Sequence, residues 1–224
     1  MDADTTSTRH AHEELLSQFG NQEYDILLGT QMIAKGLDFA NVTLVGVLNA
    51  DQSLYASDFR SSERTFSLLT QVVGRSGRGQ KAGRALIQTY TPQNETIRLA
   101  AQQDYDAFYK EEIALRQANV YPPFCDICIV GFVGAREQDA QTTSCRFLEH
   151  LKKSLKGPYE KLPLFILGPT PASVFKVAGK YRYKLLIKCK NNRAFRTFLH
   201  EALDTFPRQE ETRIFAEFNY DSLL

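Results

Sequence analysis

Apolar runs of strand length alternate with segments of helical periodicity over the first 92 residues. The pattern predicts strands at 24–30, 42–51 and 84–90 and helices at 8–19 and 62–75, the second with Ser61 or Ser62 as its N-cap. Strands that alternate with helices indicate a parallel α/β sheet covered on both faces. Only three such strands are visible, so we interpret the chain as the C-terminal piece of a longer protein.

A different order of elements follows residue 120. A helical segment is expected at 94–119, and Tyr121-Pro122-Pro123 breaks it. The pattern then predicts strand 124–133, helix 137–156, strand 163–168, strand 181–190, helix 192–205 and strand 212–219. A turn is expected at GPTP, residues 168–171. This β-α-β-β-α-β order is the split arrangement of ferredoxin-like domains.

These patterns predict three parts, namely a parallel-sheet part at 1–92, a helical connector at 93–120 and a C-terminal domain at 121–224. The core of the C-terminal domain is expected to contain Phe124, Phe132, Phe147, Phe165, Phe195 and Phe198. The fold class is α/β, with an α+β second domain.

Composition agrees with an ordinary globular protein, since 43% of residues are apolar and 24% are charged. This apolar content excludes disorder for the bulk of the chain. No apolar run approaches the roughly 18–20 residues that span a bilayer. The N-terminus has no apolar segment typical of a signal peptide, so a cytoplasmic location is expected.

The four cysteines do not suggest a disulfide framework. Cys125 and Cys128 form a lone C-x-x-C within a predicted strand, where residues three apart point to opposite faces. Two ordinary strand cysteines are therefore favoured over a zinc or redox site, and no metal ligand is expected in this chain.

Charge is distributed unevenly, although the net charge is only +1. Residues 152–196 contain 12 basic residues and a single acidic one, Glu160. In the segment 180–190 the basic residues share one strand parity and apolar residues share the other. The basic members are Lys180, Arg182, Lys184, Lys188 and Lys190, preceded by Lys176. A phosphate-binding stripe is favoured over a solvated strand face.

Two further segments have residue types suited to binding a ligand. GTQMIAKGLDF, residues 29–39, joins a strand end to a flexible glycine and an aspartate, which an ordinary turn would also explain. QVVGRSGRG, residues 71–79, places two arginines in a glycine-rich turn at a helix end. The guanidinium group of such an arginine binds two phosphate oxygens at once, or it interacts with the partial negative charge at a helix C-terminus. The segment alone does not decide between these roles.

Together and in this order, the two segments resemble motifs V and VI of superfamily 2 helicases. The longer stretches ILLGTQMIAKGLDFANVTLVGVLNAD, DFRSSERTFSLLTQVVGRSGRG and LGPTPASVFKVAGKYRYKLLIK are similar to the replication-restart helicases of the PriA family. The resemblance begins at DADTT near the N-terminus and extends to the end of the chain. It implies a partial RecA-like second helicase lobe followed by a ferredoxin-like C-terminal domain. Asn41, where we expect proline, and the ending EFNYDSLL depart from the family pattern.

By this resemblance, Arg78 is the arginine finger, Arg75 is a second phosphate contact and Gln71 contacts the nucleotide or its coordinated water. Gly36 and Asp38 link the DNA to the nucleotide site. Gly29, Thr30 and Gln31 lie near the DNA strand, and the basic residues of 176–190 bind DNA.

The resemblance also implies ATP and Mg²⁺ as cofactors and Zn²⁺ in an upstream region. The expected function is an ATP-dependent 3′–5′ DNA helicase in primosome assembly and replication restart. Its partners would be branched and single-stranded DNA, single-stranded DNA-binding protein and other primosome proteins. The sequence contains no GxxxxGK[ST] P-loop, so we expect this fragment alone to be inactive. The alternative is a non-catalytic DNA- or protein-binding module that uses the basic strand 180–190.

Overall fold

A computed structural model describes residues 9–30, 39, 41–56, 58–74, 83–207 and 211–218. The chain divides into two units. The first contains residues 1–56 and 60–112, and the second contains residues 57–59 and 113–224. No helix in the described ranges has the length and apolar character needed to cross a membrane.

The first unit is built around a pair of short parallel strands. Its elements are α1 (Arg9–Gly20), β1 (Leu44–Val47), α2 (Asp51–Leu54), α3 (Ser61–Val73), β2 (Arg84–Ile87), α4 (Glu95–Gln102) and the first part of α5 (Tyr105–Ala118). Strands β1 and β2 pair in parallel, with Leu44 opposite Arg84 and Val47 opposite Ile87. The predicted parallel α/β character of this half is therefore confirmed.

The core of the first unit lies on one face of this strand pair. It comprises Ala50, Leu54, Phe66, Leu69, Ile97, Leu99, Ala100 and Phe108. Helix α4 supplies three of these residues, so much of the expected connector packs into this core. The other strand face leaves Leu44 and Leu86 exposed, which differs from the expected strand covered on both faces.

Two local predictions in this unit are wrong. Residues 24–30 form no strand, and Ile26 and Leu28 are exposed there. A strand needs a neighbouring strand for its ladder of hydrogen bonds, and in the described part of this unit β1 and β2 pair with each other and not with this segment. Helix α3 has Arg60 as its N-cap, because the Ser61 hydroxyl donates instead to the carbonyl oxygen of Ala56 at 2.6 Å.

The second unit is a four-stranded antiparallel sheet with two helices on one face. The elements are β3 (Asp126–Gly134), α6 (Glu137–Ser154), β4 (Phe165–Val177), β5 (Lys180–Cys189), α7 (Arg193–Thr205) and β6 (Thr212–Phe218). The sheet order is β4-β5-β3-β6, and every neighbouring pair is antiparallel. The predicted β-α-β-β-α-β arrangement of a ferredoxin-like domain is confirmed.

The helices bury an aromatic core against this sheet. Phe132, Phe147, Phe195 and Phe198 are at most 1% exposed, as expected. Phe124 and Phe165 are 44% and 62% exposed, so their predicted core positions are wrong. Phe124 precedes β3, and Phe165 begins the edge strand β4, where fewer neighbours cover a side chain.

The predicted turn at 168–171 is also wrong, because β4 runs through it. The register between β4 and β5 shifts between Leu167 and Thr170, which marks a β-bulge. Gly168 adopts a φ of +99° there, and an added Cβ would lie 2.9 Å from the carbonyl oxygen of Lys184. A glycine at this position lets the strand bend without ending.

Candidate nucleic-acid interface

Strand β5 separates a buried apolar side from a partly exposed basic side. Tyr183, Leu185, Ile187 and Cys189 are at most 6% exposed and belong to the core. Arg182, Lys184 and Lys188 alternate with them and are partly exposed. The predicted alternation is confirmed, and we call the side formed by Arg182, Lys184 and Lys188 the basic face.

Lys188 is held in place by the segment that precedes β3. Its Nζ donates to the carbonyl oxygen of Asn119 at 2.6 Å and lies 3.9 Å from the ring centroid of Tyr121. An ammonium group has three donors, so these contacts leave part of its capacity for a ligand. Lys188 therefore has a structural role in addition to its charge.

Lys184 occupies the middle of the basic face. Burial lowers the pKa of its ammonium group, and the carboxylate of Asp58 partly opposes this effect by raising the pKa. Its Nζ also lies 3.5 Å from Oγ of Ser173. Partial burial removes water from the ammonium group, which strengthens its attraction to an approaching anion.

The other three lysines predicted to bind DNA lie at the ends of β5 or on the neighbouring strand. Lys180 begins β5 and Lys190 follows its end, and both are exposed. Lys176 lies opposite Tyr181 on the neighbouring strand, donates to its hydroxyl at 3.0 Å and lies 4.5 Å from its ring centroid. Because opposite residues share a sheet face, Lys176 lies on the side of Tyr181 and is separate from Arg182 and Lys184.

The residues matched to motif V are only partly described. Gly29 and Thr30 are exposed in an irregular segment after α1. Gln31, Gly36 and Asp38 lie outside the described residues. The structure therefore gives positions for two of these five residues.

Motif VI begins on α3, which packs Phe66 and Leu69 into the core of the first unit. Gln71 is exposed near the end of this helix, and the backbone N–H of Gly74 donates to the carbonyl oxygen of Thr70 at 3.0 Å. Arg75 and Arg78 lie outside the described residues.

Sequence reasoning did not identify two residues that act on the surroundings of the basic face. The carboxylate of Asp58 raises the pKa of Lys184, and the ring of Phe59 stacks on Tyr121 at 5.2 Å between centroids. The only available signal was an aromatic residue within the polar stretch DFRSSER. Strand parity could not reveal these contacts because the residues lie far from β5 in sequence.

The cysteines of the C-x-x-C pair differ in environment. Cys125 precedes β3 and its thiol donates to the carbonyl oxygen of Val120 at 3.1 Å. Cys128 is buried, and burial raises the pKa of its thiol to about 12. Across the ranges that the structure describes, no three histidine, cysteine or acidic side chains form a group suited to a metal ion.

Two family models match successive parts of the chain. The model of the Helicase conserved C-terminal domain matches residues 2–80, and that of the Primosomal protein N C-terminal domain matches residues 117–219. These matches and the two sheets confirm the predicted fold class, a partial RecA-like helicase lobe followed by a ferredoxin-like α+β domain.

Curated relatives match across both units. The chain is 46% identical to Replication restart protein PriA of Bacillus subtilis (strain 168) over 213 residues, which cover 95% of this chain and 26% of that protein. It is 42% identical to proteins of the same name from Chlamydia pneumoniae and Synechocystis, over 91% and 84% of this chain. It spans about a quarter of the length of these relatives.

Proposed function

Because this chain belongs to the PriA family of replication restart proteins, we propose that it is the C-terminal portion of an ATP-dependent 3′–5′ DNA helicase. The helicase would act in primosome assembly and in the restart of stalled replication forks. In this proposal the first unit contributes to the motor and the second unit binds DNA.

The basic face of β5 is the observation that carries the DNA-binding proposal. The apolar side of the strand fixes Arg182, Lys184 and Lys188 on the opposite side of a rigid sheet. Lysine and arginine that neutralise phosphates release condensed counterions, and this release drives binding that weakens as salt rises. From β5 we expect contacts to the DNA backbone rather than aromatic stacking on the bases. Tyr183 is buried and its hydroxyl donates to Glu137, so its ring is not available to stack on a base.

The motor roles follow from the match to motifs V and VI. Arg78 would stabilise charge on the transferred phosphoryl group, a contribution of about 10³–10⁵ in rate for arginine fingers. Arg75 would bind a second phosphate oxygen, and Gln71 would contact the nucleotide or its coordinated water. The residues proposed to join DNA to the nucleotide site are Gly29, Thr30, Gln31, Gly36 and Asp38.

ATP and Mg²⁺ are the proposed cofactors of the full-length protein, and Zn²⁺ is proposed for its upstream region. Of the proposed nucleotide contacts, the structure describes only Gln71. ATP would supply the phosphoryl group whose transfer drives movement along DNA. Branched and single-stranded DNA are the proposed substrates, and single-stranded DNA-binding protein and other primosome proteins are proposed partners.

Fluorescence anisotropy with a labelled forked DNA, at about 50 and 200 mM salt, tests the DNA-binding proposal. Replacing Lys180, Arg182 and Lys184 with glutamine should weaken binding and flatten its salt dependence. Lys110→Gln, an exposed lysine on α5, is the matched control. An unchanged salt slope in the triple variant would contradict the assignment of the basic face.

The motor proposal needs the full-length protein. Arg78→Ala should abolish most DNA-stimulated ATP hydrolysis while DNA binding is retained. Arg84→Ala, at the exposed start of β2, is the control for loss of a cation only six positions away in the sequence. Normal ATPase activity in Arg78→Ala would show that the arginine finger has been assigned to the wrong residue.

The alternative function is a non-catalytic DNA- or protein-binding module that uses strand 180–190. It is favoured by the fact that the second unit has its own core and contains the whole basic face. Full-length protein that binds forked DNA but neither hydrolyses ATP nor unwinds the fork would support this alternative.

A further inference from the structure

The positive charge of the basic face continues beyond β5 to the far edge of the same sheet. Strand β3 lies between β5 and β6, so its residues have a partner on either side. Val133 pairs with Arg182 of β5 and with Arg213 of β6. Because directly opposite residues share a face of the sheet, both arginine side chains lie on the side of the basic face. Their Cα atoms are about 10 Å apart, which is twice the spacing of neighbouring strands.

An aromatic ring lies in the next row on this side of the sheet. Gly131 pairs with Lys184 of β5 and with Phe215 of β6. The outer end of the Phe215 ring covers Gly131, because a Cβ added there would lie 2.7 Å from Cε1 and 2.8 Å from Cε2 of the ring. No side chain fits in that space, so the glycine lets the ring rest on the backbone of the central strand.

Phe215 lies outside the aromatic core of the second unit. Its neighbours Ile214 and Ala216 pack against that core from the other side of β6, whereas Phe215 is partly exposed. A ring that rests on the backbone presents its opposite side to a ligand. Proteins that bind single-stranded nucleic acid use such rings as platforms on which bases stack, next to cations that follow the phosphates.

The cations lie at one end of this surface. The guanidinium carbon of Arg213 lies 5.9 Å from the centroid of the Phe215 ring. Among the described residues, none forms a hydrogen bond or ion pair with the side chain of Arg182 or Arg213, so their N–H donors are available to a phosphate. Glu217, opposite Ile129, occupies the other end of the row along β6. Phosphates are therefore expected at the end that bears the two arginines.

We propose that the ring of Phe215 stacks on a base of single-stranded DNA while Arg182 and Arg213 bind the adjacent phosphates. The inference rests on the proposed function and deepens it, because it adds a base contact to a surface from which β5 offers only backbone contacts. Every base has a π face, so the contact is independent of sequence. It favours unpaired DNA over duplex, in which the bases already stack on one another.

Fluorescence anisotropy of the full chain with two labelled single strands of equal length tests the proposal. One strand is oligothymidine, and the other is abasic at every position, so it has the phosphates without the bases. Phe215→Leu removes the ring and keeps an apolar side chain. It should weaken binding of oligothymidine about five- to tenfold, the effect of losing one base–aromatic stack, and leave binding of the abasic strand unchanged. Arg213→Gln should weaken both and reduce the salt slope by about 0.7.

A spectroscopic measurement tests the stacking directly. The chain contains no tryptophan, so Phe215→Trp places a single indole at the proposed site. A stacked base quenches indole fluorescence, and oligothymidine should therefore lower the emission whereas the abasic strand should not. Tyr109→Trp, at an exposed position on α5, is the matched control, and its emission should respond to neither strand. If thermal unfolding shows that Phe215→Leu does not fold, the emission of Phe215→Trp decides.

The outcomes separate this inference from the proposed function. If Phe215→Leu binds oligothymidine as tightly as wild type, or loses affinity equally for both strands, the stacking proposal is overturned and phosphate binding by the basic face stands. Unchanged emission of Phe215→Trp on saturation with oligothymidine also overturns it. If neither forked DNA nor oligothymidine binds at low salt, the proposed function itself fails, and the stacking proposal fails with it.

Discussion

Lys188 and Arg182 lie on the same side of β5, yet replacing each with methionine should change a different property. Lys188 donates to Asn119 and lies against Tyr121, whereas the side chain of Arg182 makes no hydrogen bond or ion pair with any residue within the described ranges. A charge-assisted hydrogen bond and a partly exposed cation–π contact together contribute about 1–2 kcal/mol. At about 2–4 °C per kcal/mol for a chain of this length, Lys188→Met should therefore lower the midpoint of thermal unfolding by about 2–8 °C.

Arg182→Met should leave the unfolding midpoint nearly unchanged. It should reduce the slope of log K for DNA against log salt by about 0.9, the value for one phosphate contact. Lys188→Met should reduce this slope by less, because protein groups already hold its ammonium group. Differential scanning calorimetry and anisotropy measured over several salt concentrations check both variants. Equal changes in slope without loss of stability in Lys188→Met would refute the argument that Lys188 is structurally engaged.

Three further predictions concern stability and reactivity. Phe147→Ala should lower the free energy of unfolding by about 3–5 kcal/mol in urea titrations, since the ring is fully buried, whereas Phe165→Ala at an exposed position should cost far less. Hydrogen bonds from Thr91 and its neighbours hold the pKa of the Asp51 carboxyl below its usual value, so Asp51→Asn should be less stable than wild type near neutral pH. That difference should vanish as pH falls through the lowered pKa, as urea titrations from about pH 7 to 3 would show. In the native protein at about pH 8, a disulfide reagent should modify exposed Cys145 but not buried Cys128, whose thiol has its pKa raised to about 12, and equal rates would contradict this burial.

The elements of the second unit could be predicted well because side chains on one face repeat every two residues in a strand and about every 3.6 residues in a helix. In β5, alternation alone located the buried and basic sides of the strand. Element order then predicted the split arrangement, and pairing of β5 with both β3 and β4 confirmed it. The bulge at Gly168 was not predictable, because GPTP has the composition of a turn and only cross-strand pairing carries the strand through it.

The first unit shows the limits of the same method. The run at 24–30 has strand composition, but Ile26 and Leu28 are exposed and no described strand pairs with them. Composition measures how well a segment would fit a sheet, and the hydrogen bonds of a neighbour decide whether the strand forms. The assignments of Arg75 and Arg78 to phosphate remain predictions, since both residues lie outside the described part of the chain.

The sequence by itself determined the family, the order of helices and strands and the side of β5 on which positive charge accumulates. Each of these depends on residues that are close together in the chain or that match a motif. Only the tertiary structure decided that Lys188 is held by Asn119 and Tyr121 and that the carboxylate of Asp58 raises the pKa of Lys184. These interactions join residues separated by 67 to 126 positions, and periodicity contains no information on such distances.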